Sequence, residues 1–175
     1  MVKNTQKYFW IIGGGILQVP LIKEAKKLNY KIIVTDADEN CICKELASCF
    51  ETIDIFDIDG HIEYAKQLTN SGILIKGVLA AGIDAPETMA KVAEMLNLPT
   101  VSSKIAHLVN NKEIFRVKMK ELGVPTPKFQ SVSINNLDEL PSIIDKIGYP
   151  LIVKNTSSSG SRGTKIFYSH DIVGV

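Results

Sequence analysis

Two lysines and a loop of small, hydroxylated residues carry most of the chemistry in this sequence. Lys154 closes the short apolar run Tyr149-Pro-Leu-Ile-Val-Lys154. Ser157, Ser158, Ser159, Gly160, Ser161, Arg162, Gly163 and Thr164 follow, and then a second apolar run, Lys165-Ile-Phe-Tyr168. Gly160 and Gly163 reach positive φ without a Cβ penalty, so backbone N–H groups there can turn toward an anion. The serine hydroxyls and the Arg162 guanidinium add donors, and Lys154 can aim a charge at the same place. Two strands joined by such a mobile loop make a flap able to close on phosphates. Lys112 lies in the first turn of another element, where a lysine is poorly placed for the helix dipole. Beside Lys154 it supplies a second cation for one triphosphate. The flap is not a P-loop, because its lysine precedes the glycines and a strand, not a helix, follows them.

A second group of small residues lies near the start. Gly13, Gly14 and Gly15 follow the apolar run Tyr8–Ile12 and precede a helical pattern. In a doubly wound sheet that position faces ligands. The dinucleotide fingerprint G-x-G-x-x-G would need its third glycine where Gln18 stands. Asp36, at the end of the second apolar run, lies where a ribose-binding carboxylate would. A tight turn without a cofactor is the alternative. Ala80 to Ala85 supplies Gly82 and Asp84 on the same edge. Asp84 reads first as a helix N-cap and second as a ligand. His61, His107 and His170 show no metal or triad spacing, so surface or capping roles are expected.

These residues need elements to position them. Strand-length runs at 8–12, 31–35 and 76–80, with a further strand over 51–55, alternate with helical patterns. The first helix shows the stripe Leu17, Leu21, Ala25 and Leu28, with Pro20 near its first turn. Ile62, Ala65 and Leu68 mark a second helix; Met89, Val92, Ala93 and Leu96 mark a third. This alternation predicts a parallel sheet with helices on both faces. The pattern changes near Pro99-Thr100, so residues 1–100 form one domain and 101–175 begin another. In the latter, Asn110-Asn-Lys-Glu113 predicts a capped helix ended by Gly123. Val124-Pro-Thr-Pro127 gives an extended lead-in to 128–132, and Leu137, Leu140, Ile144 and Ile147 mark a helix ended by Gly148. Ser169-His170-Asp171 reads as the cap of one more helix.

The 175 residues balance 20 basic against 19 acidic side chains, which gives no global case for nucleic acid or membrane. Lys3 and Lys7 before the first strand only imitate a signal peptide, because glycines, Gln18 and Pro20 interrupt the apolar run. Cys41, Cys43 and Cys49 lack C-x2-C spacing and a fourth ligand, so no metal site is expected. An odd cysteine count without a secretion signal predicts a cytoplasmic protein.

The order I-I-G-G-G (11–15), V-T-D-A-D (34–38), A-G-I-D-A (81–85), N-K-E-I-F-R (111–116), L-G-V-P-T-P (122–127) and Y-P-L-I-V-K (149–154) with S-S-S-G-S-R-G-T (157–164) resembles the ATP-grasp enzymes, most closely the carbamoyl-phosphate-synthase-like and biotin-carboxylase-like members. The resemblance implies a Rossmann-like α/β domain followed by the first part of an ATP-grasp fold. It implies ATP held with Mg²⁺, Lys112 and Lys154 on the phosphates, and Ser157 to Thr164 as the lid. Gly13 to Gly15, Asp36, Gly82 and Asp84 would lie on the substrate side. The reaction it implies converts a small carboxylate or bicarbonate to an acyl phosphate for attack by an amine; a homodimer is compatible with it. In that family the metal ligands and catalytic arginine lie further on than Val175, so this sequence is expected to be an N-terminal portion without a catalytic or metal-ligating residue of its own. A non-catalytic nucleotide-binding module and an NAD(P)-linked oxidoreductase domain are the alternatives.

Overall fold

A computed structural model of the chain describes residues 6–158 and 160–168. Ser159, His170 and the expected cap at Ser169-His170-Asp171 lie outside the described residues. Contacts divide the chain into two units, Met1–His107 and Leu108–Val175.

The first unit is a parallel sheet of β1 (Lys7–Ile12), β2 (Lys31–Asp36), β3 (Cys49–Thr52) and β4 (Leu74–Ala80), in the order β3-β2-β1-β4. Helices α1 (Val19–Lys27), α2 (Ile58–Asn70) and α3 (Pro86–Met95) connect the strands or follow them. The two central strands read as unbroken apolar runs because both sheet faces are covered. The two-residue period sends Tyr8, Trp10 and Ile12 to one core with Ile33, Ala65, Leu68 and Val92. Ile11 goes to the other, with Ile22, Ala25, Ile32, Val34 and Cys43. The α/β class and parallel sheet expected from the alternation are present.

Four local expectations change in the first unit. The buried face of α1 is Gln18, Ile22 and Ala25, while Leu17 and Leu28 are 65% and 71% exposed. A 3-10 turn at Ile16–Gln18 delays the helix to Val19, with Pro20 in its first turn as expected, and this rotates the stripe. Strand β3 lies at Cys49–Thr52, earlier than 51–55, because Ser48 N–H donates to Ile32 O at 2.7 Å and sets the pairing of Cys49 with Ile33. Asp84 is not the cap of α3: the N-cap is Ala85, with no side-chain bond, and Pro86 removes one of the donors a cap would serve. His61 is fully buried, not a surface residue.

His61 belongs to a polar chain threaded through the first core. Trp10 Nε1–H donates to Thr35 Oγ1 at 3.1 Å. Thr35 Oγ1 lies 3.0 Å from His61 Nε2, and His61 Nδ1 lies 2.7 Å from Asp57 O. A carbonyl only accepts, so Nδ1 carries the proton and Nε2 accepts from the Thr35 hydroxyl. Burial lowers the imidazole pKa from its ordinary value. Trp10 also meets Tyr64 edge-on, with centroids 5.5 Å apart. Every buried side-chain polar atom among the described residues has a hydrogen-bond partner.

Helix α4 (Ser103–Asn110) is tied to α3 twice: Ser103 N–H donates to Glu94 Oε1 at 2.7 Å, and His107 Nδ1 lies 2.9 Å from Glu87 Oε2. These bonds are the chief cause of the lowered carboxyl pKa at Glu94 and at Glu87.

In the second unit, α5 (Lys112–Glu121) is capped by Asn111, whose side-chain oxygen accepts from the N–H groups of Glu113 and Ile114 at 3.0 and 3.1 Å. Helix α6 (Leu140–Ile147) ends at Gly148, φ 82°. Its buried residue is Ile143, not the stripe expected from Leu137, which lies in an irregular 3-10 stretch at Ile134–Glu139. Strands β5 (Leu151–Val153) and β6 (Lys165–Phe167) pair antiparallel, Leu151 opposite Phe167 and Val153 opposite Lys165. Among the described residues no helix is long and apolar enough to cross a membrane.

Candidate functional site

The β5–β6 hairpin carries the flap. Lys154 follows β5 directly, and the connection to Lys165 contains no acidic residue. Gly160 and Gly163 sit at φ 62° and 68°, the left-handed region expected of them, and Ser161 joins them at 59°. Gly160, Ser161, Arg162, Gly163 and Thr164 are all exposed. The loop is stitched to itself by the Ser158 hydroxyl, which donates to Arg162 O at 3.0 Å, and by Thr164 N–H, which donates to Ser161 O at 3.1 Å.

The structure brings Lys112 to this loop. Its backbone N–H donates to Thr156 O at 2.9 Å. Its ammonium donates to Ser158 O and, at 3.5 Å, to Thr156 O. An ammonium carries three protons, so one remains after both carbonyls are served. The carbonyls also explain why a lysine is tolerated at a helix start: they offset the repulsion from the positive end of the dipole. Lys154 is exposed and has no hydrogen-bond or ion-pair partner among the described residues. The hairpin thus presents cations, hydroxyls and exposed backbone on one short segment, and nothing there opposes a polyanion.

The glycines of the first unit are arranged differently. Gly13, at φ 89°, and Gly14 are buried, while Gly15 is exposed. Gly13 N–H donates to Thr35 O at 2.7 Å and Gly14 N–H to Asp36 Oδ2 at 2.6 Å. The other Asp36 oxygen accepts from Asp38 N–H at 2.9 Å. A Cβ on Gly14 would stand 2.3 Å from Cys41 Sγ, so only glycine fits under that thiol. Ile83 packs over Gly13 and Leu17 over Gly82. A pyrophosphate lying on a dinucleotide fingerprint needs this space and these amides; at Gly13 and Gly14 the protein's own side chains fill the space, and the Thr35 carbonyl and the Asp36 carboxylate hold the amides.

Comparison with known proteins bears on both regions. Residues 111–173, which span α5 and the flap, match the family described as carbamoyl-phosphate synthase L chain, ATP binding domain. The chain is 29% identical over 164 residues to a formate-dependent phosphoribosylglycinamide formyltransferase from Prochlorococcus marinus, a match covering 94% of this chain and 41% of that protein. Among solved structures it superposes with TM-score 0.69 on an N5-carboxyaminoimidazole synthetase from Staphylococcus aureus complexed with ADP, at 22% identity, covering 97% of this chain and 43% of that one. An L-amino acid ligase from Bacillus licheniformis gives TM-score 0.71 at 22% identity, covering 97% and 40%. The chain has the fold of the N-terminal part of an ATP-grasp enzyme. It spans about two-fifths of the length of the relatives it matches, 41% of the first.

Several residues matter that the motifs did not single out. Gln18 is almost fully buried, and its side-chain amide donates to Ala81 O, joining the turns after β1 and β4. In the sequence it reads only as a failed third glycine. Cys43 Sγ donates to Gly15 O at 3.2 Å, so two of the three cysteines back the glycine turn. Thr156, the carbonyl partner of Lys112, carries no sequence signal at all, because a backbone acceptor can be supplied by any residue.

Proposed function

We propose that the protein is an ATP-dependent ligase of the ATP-grasp type that activates a small carboxylate, or bicarbonate, for attack by an amine. One observation carries this reading: the hairpin loop with its left-handed glycines is held by Lys112 from another element while Lys154 stands free at its base. In the proposed role Lys112, Lys154, Arg162 and the donors of residues 157–164, Ser159 included, bind the phosphates of ATP. The γ-phosphoryl group passes to a carboxylate oxygen, leaving ADP and an acyl phosphate. The amine then attacks the acyl carbon and phosphate leaves. Fixed cations favour this transfer by offsetting charge on the transferring group.

The sequence from Lys154 to Tyr168 contains no carboxylate, so the flap supplies no carboxylate ligand for Mg²⁺. The metal enters with the nucleotide and its protein ligands are not assigned to this segment. In this reading residues 1–100 form the Rossmann-like domain and 101–175 open the ATP-grasp domain. Gly13 to Gly15, Asp36, Gly82 and Asp84 lie on the substrate side. The thiols of Cys41, Cys43 and Cys49 are unpaired, in keeping with a reducing cytoplasm.

The test is calorimetric titration with Mg-ATP. Lys154→Ala is expected to weaken binding roughly tenfold or more, the scale of one lost charge-assisted contact. Equal affinity in wild type and variant would remove Lys154 from the site. NADH binding in place of ATP would revive the oxidoreductase alternative.

A further inference from the structure

We propose that Asp36 closes the turn after β1 to phosphate, so that the part of the substrate reaching this edge is uncharged or cationic. The inference rests on the ligase reading above and narrows its substrate class. A glycine turn after the first strand holds a phosphate with two resources: successive free N–H donors and the room left by absent Cβ atoms. Both are taken at Gly13 and Gly14, whereas Gly15 is exposed. Gly13 N–H is bound to Thr35 O at 2.7 Å, and Gly14 N–H to Asp36 Oδ2 at 2.6 Å. Asp38 N–H holds the second Asp36 oxygen at 2.9 Å, which fixes the carboxylate in place.

The room is filled as well. A Cβ on Gly13 would meet Ile83 Cδ1 at 3.0 Å, and one on Gly82 would meet Leu17 Cδ1 at 3.0 Å. The corresponding position on Gly14 lies 2.3 Å from Cys41 Sγ and 3.3 Å from Asp36 Cβ. Asp36 therefore occupies the position and charge that a phosphate oxygen would take at the Gly14 amide. A phosphorylated group brought to this turn must displace a bound carboxylate and then lie beside it, like charge against like charge.

Two-dimensional ¹H–¹⁵N spectra of the full 175-residue chain test this, with ribose 5-phosphate as the probe. In the wild type the Gly13 and Gly14 amides are expected not to shift at millimolar excess. Asp36→Asn keeps the shape and an acceptor while removing the charge; Asp36→Ala also frees the Gly14 amide. Both are expected to acquire saturable shifts at Gly14, larger in Asp36→Ala. Should the alanine variant not fold, Asp36→Asn alone decides. Saturable shifts in the wild type, or a silent Asp36→Asn, would overturn the proposal. Mg-ATP added to the same wild-type sample reads Gly160, Arg162 and Gly163 independently. Shifts there together with a phosphate-binding turn sink only the present inference and leave the ligase reading standing.

Discussion

In the first unit Gly13 and Gly14 are buried and their amides point into the protein, one to a strand carbonyl and one to Asp36. In the second unit Gly160 and Gly163 are exposed, and the space beside Gly160 is open to 4 Å. Both are glycine-rich turns after a strand, and both read in the sequence as places where an anion could bind. Glycine serves opposite ends in the two. At Gly14 it lets the protein's own thiol and carboxylate approach the backbone; at Gly160 and Gly163 it lets the backbone turn outward. A glycine-rich turn therefore signals close approach or positive φ, and its surroundings decide whether the approaching group is a ligand.

The comparison can be broken most forcefully at the core beneath the first turn. Trp10→Ala is expected to cost about 3–5 kcal/mol of stability, the range for deleting a buried tryptophan. It also takes from Thr35 the donor that completes the chain to His61. Urea unfolding reads the loss as a lower midpoint at constant slope; a change under ~1 kcal/mol would show that this core is not the rigid partner in the comparison.

Substituting the same residue at the two turns sharpens the contrast. Gly14→Ala forces a methyl group against Cys41 Sγ, where the gap is 2.3 Å, and is expected to cost about 1–3 kcal/mol by overpacking. Gly160→Ala meets no neighbour within 4 Å, so its cost is the left-handed backbone alone, about 1 kcal/mol. That cost should appear as weaker Mg-ATP binding with the unfolding midpoint of the first unit unchanged. Equal loss of stability in the two variants would erase the distinction.

The smallest effect comes from His61. Its folded-state pKa is lowered from the ordinary value of 6.5 by burial. Well above pH 6.5 both folded and unfolded forms are neutral there and stability is flat. As pH falls through 6.5 the unfolded chain takes up a proton that the folded chain refuses, so stability declines, by at most ~1.4 kcal/mol per pH unit. The decline ends once the folded histidine itself protonates. Tyr64, pushed up to about 12 by burial, stays neutral throughout. Urea midpoints between pH 7.5 and 5.5 should fall in the wild type and stay level in His61→Gln; a level wild type would show that His61 is free to protonate in place.

The sequence by itself determined β1, β2 and β4, the α/β alternation and the hairpin of the flap. Val34 and Ile152 lie in runs of apolar, β-branched residues that suit few other conformations, and Gly160 and Gly163 are chemically suited to the φ values they adopt. It placed the start of α5 through the Asn110-Asn111 pair, because a cap is a local bond between near neighbours, and the structure assigns the cap to Asn111. Tertiary structure alone decided what depends on distant partners. The buried face of α1 turned on where a 3-10 turn ended, which moved Leu17 and Leu28 outward and Gln18 inward. His61 became a core residue because Thr35, twenty-six positions away, offered its ring a partner. Lys112 acquired its loop through carbonyls forty-four and forty-six positions away, and a carbonyl is common to every residue type. The glycine turn at 13–15 was legible as a turn but not as a closed one. Whether an amide is free depends on which side chain folds back upon it, and only the three-dimensional placement of Asp36 and Cys41 settles that.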